Sequence, residues 1–241
     1  MSRYDDLPAV VRYGRGVFLD QVWRYRPGEH VTILGPTGNG KTHLAQALLE
    51  RTCSPELPAV SLILKPRDAT VTKWAKAAGF RKTAAWPPAP PIFGTQKPNG
   101  WVVWPRFSYD PARDDPQHYR LFRTAILDSY RKGNRVLFAD ETVGLQELGL
   151  TDELRAVWRQ GRSMKCGLWA ASQTPTHISP LAYSQAQHLF LGYISDKRAQ
   201  ERFGEISGMD EYLIRHTVKN LKRHEWLYIR QEDRTLCVVE K

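Results

Sequence analysis

Eight consecutive residues, Gly35-Pro36-Thr37-Gly38-Asn39-Gly40-Lys41-Thr42, carry the chemistry easiest to read in this chain. A chain that reverses between a strand and a helix can aim several backbone N–H groups at one point. Gly35, Gly38 and Gly40 permit the positive φ values and close approaches that such a cradle needs. Lys41 reaches the outer phosphates of a nucleotide, and the Thr42 hydroxyl is a ligand for Mg²⁺. His43 follows in the first helical turn and joins the candidate nucleotide-binding set. The flanks agree with this reading. His30 to Leu34 is an apolar run suited to a buried strand, and residues 43–50 are apolar at helical spacing, so the helix N-terminus adds its dipole to the anion site. The expected ligands are ATP and Mg²⁺.

A second pair, Asp140-Glu141, directly follows the apolar run Arg135 to Ala139. A carboxylate at the end of a buried strand stands beside the metal held by Thr42, which makes Asp140 the second metal ligand. One residue on, Glu141 is placed to orient and deprotonate an attacking water. Hydrolysis needs such a base, whereas a kinase needs one beside its acceptor. A third polar position ends the next apolar strand, at Ser172-Gln173-Thr174-Pro175. Gln173 there can bond both a terminal phosphate and the water.

These residues need a scaffold of alternating strands and helices. Strands are expected at Val17–Leu19, Val60–Leu64, Trp101–Trp104, Arg135–Ala139, Gly167–Ser172 and Leu189–Tyr193, besides the one before the glycine loop. Helices are expected near 70–78, 118–132, 151–165, 181–187, 196–204 and 210–222. Glu225–Arg230 and Thr235–Val239, split by Gln231-Glu232-Asp233, predict a closing hairpin. This order predicts an α/β fold with a mainly parallel sheet covered on both faces. Residues 1–29 read as a lead-in and 205–241 as a C-terminal helix and hairpin, all within one domain spanning 1–241. Residues 84–100, with Pro87-Pro88 and Pro90-Pro91, exclude regular structure and predict a long surface loop.

The chain has 241 residues and a formal net charge of +10, a balance that favours a polyanionic partner. Its three cysteines, Cys53, Cys166 and Cys237, are far apart and form no CxxC pair, so neither a disulfide framework nor a zinc site is expected. A reducing, cytoplasmic setting is the natural expectation. No opening signal sequence and no stretch of about 20 apolar residues is seen.

Together, the Asp140-Glu141 pair, the basic segment Arg159-Gln160-Gly161-Arg162 and the strand ending in Gln173-Thr174-Pro175 resemble the FtsK/HerA superfamily of DNA-translocating ATPases, from about Gly28 to Tyr193. The resemblance implies a RecA-like P-loop NTPase fold with an extra strand between the two Walker strands. It also implies a homo-oligomeric ring, hexameric or pentameric, around double-stranded DNA. An arginine from one subunit then completes the ATP site of the next, with Arg162 first and Arg159 second by position. Arg155, Arg159 and Arg162 also share one helical face at their spacing and could be a solvated basic surface. The chain's size is similar to that of small viral genome-packaging ATPases and the motor cores of plasmid-transfer proteins. Docking on a portal or membrane protein, in the host cytoplasm or at a virion vertex, would follow. Two other classes compete. Gly40-Lys41-Thr42-His43-Leu44-Ala45 also looks like AAA+ helicase loaders and transposition helpers, and a small-molecule kinase would use the arginines of 120–135 as a lid. Lys97, Arg106, Arg113, Lys219, Lys222 and Arg223 are candidate phosphate contacts on DNA.

Overall fold

Strand β2, Val31–Leu34, is buried at every position and hydrogen-bonds in parallel on both sides. A strand with no solvent face must be continuously apolar, which explains the run His30 to Leu34. The computed structural model describes residues 8–89, 96–173, 175 and 177–241, with backbone alone at 206 and 207. Ten strands form one sheet in the order β1-β10-β9-β8-β2-β7-β6-β3-β5-β4. They are β1 (Arg12–Gly14), β2, β3 (Ala59–Leu62), β4 (Phe80–Thr83), β5 (Gly100–Val103), β6 (Arg135–Ala139), β7 (Cys166–Ser172), β8 (His188–Gly192), β9 (Trp226–Arg230) and β10 (Thr235–Glu240). Pairing from β8 across to β4 is parallel throughout. One strand, β7, lies between β2 and β6, the order that the resemblance implied for the strands before the glycine loop and before Asp140.

Alternate residues feed two cores. Leu34, Leu62, Leu137 and Leu168 face one, with Phe122 and Ile126 of α4 (Pro111–Lys132) and Leu154 and Trp158 of α6 (Thr151–Gln160). Ile33, Val136, Phe138 and Trp169 face the other, with Leu44 and Leu48 of α2 (Lys41–Thr52) and Val71 of α3 (Ala69–Ala77). α8 (Lys197–Ser207) and α9 (Glu211–Lys219) add Phe203, Ile214 and Val218 to the first core. Each sheet face buries its own apolar set, so neither can slip register without exposing it.

Several expectations change. Val17–Leu19 is not a strand. Arg15–Val17 (α1) and Phe18–Val22 are a helical turn running into a wider π-turn, whose Phe18 packs edge-on against Tyr228 and Phe190. Strand β1 lies just upstream and pairs in parallel with β10. The edge strand β4 and the helical segment from Thr142 (α5, Thr142–Leu145, then a π-turn to Leu150) were not foreseen. α4 begins seven residues before the apolar periodicity at His118, because Asp110 caps it by accepting from Ala112 N and Pro111 opens it. α6 stops at Gln160, and 161–165 turn into β7. The short helix α7 covers Leu181–Ser184. The closing hairpin β9–β10 is antiparallel as expected, but β9 also pairs antiparallel with β8, so the hairpin is part of the main sheet. Of the Pro-rich loop, 90–95 lie outside the described residues. All three cysteines are buried and free.

At the amino-terminal edge of the sheet three titratable side chains are buried together. His188 Nε2 stands 3.0 Å from Glu29 Oε2, and its Nδ1 is 2.9 Å from the Tyr228 hydroxyl. His30 Nδ1 accepts from Leu168 N. Burial lowers the His30 pKa to about 4 and also lowers that of His188. Burial works against the charge on Glu29, yet the bonds from His188 and Arg26 N hold its carboxyl below the usual range. As pH falls below about 6.5 the unfolded chain takes up imidazole protons that the folded chain refuses, so stability is lost on acidification. Glu29 acts in the same direction at lower pH. Thermal melts should therefore show Tm falling steadily between about pH 6.5 and 4, with His30 alone contributing about 3 kcal/mol from its lowered value. A flat Tm over that interval would refute the assignment.

Candidate nucleotide site

The parallel register brings the carboxyl ends of β2, β7, β6 and β3 side by side, with Leu34 opposite Ser172 and Ala139 opposite both Ala170 and Leu62. The glycine loop, Asp140-Glu141 and Gln173 leave the sheet at that edge. Gly38 and Gly40 have φ of 80° and 88°, in the left-handed region where a side chain is strained. Gly35 does not, and its need for glycine is space, since a Cβ there would stand 3.0 Å from the buried Trp226 ring. Its N–H donates to Ser172 O at 3.2 Å, which ties the loop to β7.

No side chain caps α2 at Gly40. The first-turn N–H groups of Lys41, Thr42 and His43 therefore point into a cavity of about 420 Å³ and form an anion seat. Thr37, Lys41, His43, Asp140, Glu141 and Gln173 line the same cavity. Lys41 Nζ donates to Gly35 O at 2.7 Å and Pro36 O at 3.1 Å, so the amine curls over the loop. Burial lowers its pKa, opposed by Glu141 and Asp140.

The Thr42 hydroxyl donates to Asp140 Oδ1 at 2.8 Å across 98 positions of sequence. A hydroxyl and a carboxylate in contact beside a phosphate seat are hard oxygen donors of the kind Mg²⁺ prefers, with phosphate and water completing the shell. Among the described residues there is no cluster of three or more His, Cys, Asp or Glu side chains that could hold a metal. Glu141 is partly buried and lines the cavity with Gln173. Burial raises its pKa, opposed by the Gln173 amide and by Lys41, making it a better proton acceptor than a solvated glutamate. A larger open hollow of about 660 Å³ beside Gly79 and Asn99 contains none of these groups.

The expected arginines lie elsewhere. Arg159 is exposed near the end of α6, and Arg162 is exposed in the following turn rather than on the helical face shared with Arg155. That turn leads into the amino end of β7, a strand length of about 20 Å from the glycine loop of the same chain. Neither arginine can serve its own site. The DNA candidates also divide. Lys97 precedes β5 and Arg106 follows it, so they sit at opposite ends of that strand.

Three contributors were not foreseen. Lys65, just past β3, donates to Asp140 Oδ2 at 2.6 Å. Its position as the first charge after an apolar strand was the available signal. Asp68 lines the same cavity. His224 N donates to Asn39 Oδ1 at 3.1 Å, and its Nδ1 is 3.1 Å from Asn39 O. Arg223 is exposed, and its Nε also donates to Gly38 O at 3.4 Å. No local pattern marks these two. They reach the loop only because β9 runs antiparallel to β8, with Trp226 opposite Gly192.

No protein-family model matches the chain, and no curated protein matches it. Solved structures do. The genome packaging NTPase B204 from Sulfolobus turreted icosahedral virus 2, in complex with AMP, is similar over 90% of this chain and 98% of its own, with a TM-score of 0.62 at 16% identity. VirB4 of Thermoanaerobacter pseudethanolicus covers 88% of this chain and 89% of its own at TM-score 0.61 and 12% identity. The pCW3 conjugation coupling protein TcpA, with ATPγS, covers 88% and 60% at TM-score 0.50 and 13% identity. At these identities the likeness is one of fold: a mostly parallel sheet flanked by helices and closed by an antiparallel hairpin.

His224→Ala removes one side-chain bond to the loop and should weaken binding of a fluorescent ADP analogue about fivefold, the worth of one hydrogen bond. Unchanged affinity would mean that the C-terminal segment does not brace the loop.

Proposed function

We propose that this chain is an ATP-hydrolysing motor that moves double-stranded DNA, working as a ring in genome packaging or plasmid transfer. The observation that carries the reading is the Thr42–Asp140 contact at 2.8 Å, with Glu141 and Gln173 lining the same cavity. Packaging is favoured over transfer by the near-complete overlap with B204, described as a genome packaging NTPase.

In this reading the N–H groups of the loop and Lys41 hold the phosphates of ATP. Thr42 and Asp140 hold Mg²⁺, which neutralises charge on the phosphates. Gln173 orients a water, and Glu141 accepts its proton as the oxygen attacks the terminal phosphorus and the bond to the bridging oxygen breaks, releasing ADP and phosphate. Gln173 lines the cavity directly after β7, so hydrolysis beside it has a route into the sheet. Arg162, or Arg159, stands on the exposed amino-terminal edge, where it serves only a neighbouring subunit. Exposed cations such as Arg106 and Lys222 would meet DNA phosphates without reading sequence.

ATP hydrolysis measured with and without double-stranded DNA should show stimulation by DNA, whatever its sequence. Phosphorylation of a small acceptor instead would favour a kinase. Lys41→Ala should abolish nucleotide binding or turnover, and Glu141→Gln should bind ATP yet fail to hydrolyse it; normal turnover by Glu141→Gln would remove the base from the mechanism. Arg162→Ala should be inactive alone and partly rescued when mixed with Lys41→Ala, since the two lesions fall on different partners of one site. DNA affinity should drop steeply with salt.

A further inference from the structure

Asp140 is the most enclosed charge of the candidate site, its side chain 1% exposed. One oxygen accepts from Thr42, and the other is held by Lys65 Nζ at 2.6 Å. The same amine lies 3.7 Å from Asp68 Oδ2. Asp68 caps α3 through its other oxygen, Oδ1, which accepts from Val71 N at 3.0 Å. Its Oδ2 is therefore available to a cation without loss of the cap. The backbone of Lys65 is fixed from behind, because its carbonyl accepts from Trp104 Nε1 at 2.7 Å. The Lys65 side chain is 43% exposed, so its amine is not enclosed on every side. A backbone held at one end and an amine with two carboxylates in reach make a two-position element.

We infer that Lys65 is a resident counter-cation that competes with the metal for Asp140 and transfers to Asp68 when the metal takes Asp140. The inference rests on the reading of this cavity as a Mg²⁺–nucleotide site. The reason is electrostatic. A buried carboxylate needs a positive partner, and Lys65 supplies it. A divalent ion and an ammonium crowded onto one carboxylate repel, so metal binding has to move the amine. Asp68 accepts it nearby, so the positive charge stays paired, and loading of the metal is felt at the first turn of α3. Lys65 is a positioning residue in this role: it sets the state of a metal ligand.

The test is a Mg²⁺ titration of the full-length protein with a fluorescent ADP analogue, reading the Mg²⁺ midpoint for nucleotide tightening rather than turnover. Lys65→Met removes the competitor and should lower the midpoint about threefold or more, in line with the loss of a partly exposed ion pair. Lys65→Gln should do the same, which covers any folding defect of the first variant. Asp68→Asn keeps an oxygen for the α3 cap but removes the receiving charge, so it should raise the midpoint. The double variant Lys65→Met/Asp68→Asn should match Lys65→Met alone, because without the amine the second carboxylate has nothing to receive. A midpoint unmoved or raised by the Lys65 variants, or an Asp68→Asn effect that persists without Lys65, would overturn the inference. Failure of the wild-type protein to bind the analogue with or without Mg²⁺ would overturn the nucleotide-site reading itself, a result distinguishable from normal binding with a midpoint indifferent to Lys65.

Discussion

The hydrogen bond from Thr42 to Asp140 is the contact on which the molecule turns. It joins the end of the first P-loop helical turn to the end of β6, 98 residues later. It exists only if β2 and β6 run parallel, separated by one strand and in the register observed. A shift of one residue would turn Asp140 to the other face and break the two buried cores together. The apolar alternation that fills those cores is therefore also what aims the polar groups.

Around that bond the site is built as a chain of dependencies rather than a set of separate ligands. Gly35 is held to β7 through Ser172 O and pressed on the Trp226 ring. Asn39 is held by His224 from the other side. Glu141 and Gln173 line one cavity, Gln173 directly after the intervening strand. The loop thus touches β7 and β9, and a change in its contents can be passed to the C-terminal hairpin through short, directional bonds. Polar groups at the opposite edge, Glu29, His188 and Tyr228, are satisfied by one another and fasten β8 to β9 at their far ends.

Legibility from sequence followed the range of the interactions. The glycine loop, Asp140, Glu141 and Gln173 were readable because each sits at a fixed offset from an apolar run, and a strand end in a parallel sheet is a known place in space. The start of α4 was misplaced because Asp110 and Pro111 set it, ahead of any apolar period. Val17–Leu19 has strand-like residues but folds as a helical turn, because Phe18 is drawn into an aromatic cluster with Phe190 and Tyr228. Arg155, Arg159 and Arg162 fit one helical stripe by count. Gly161 ends the helix instead, since its N–H closes on Val157 O while Cys166 N returns to Gly161 O to begin the strand.

What the sequence determined alone was the local arrangement: a glycine loop between a strand and a helix, two carboxylates and a glutamine at strand ends, and the alternating elements that carry them. These depend on spacing within a few residues, where backbone geometry leaves few choices. The tertiary structure decided which distant charges meet. Lys65 on Asp140, Arg223 and His224 on the loop, and the removal of Arg162 to the far edge follow from strand order and direction. Those are properties of the whole sheet, and no window of the chain encodes them by itself.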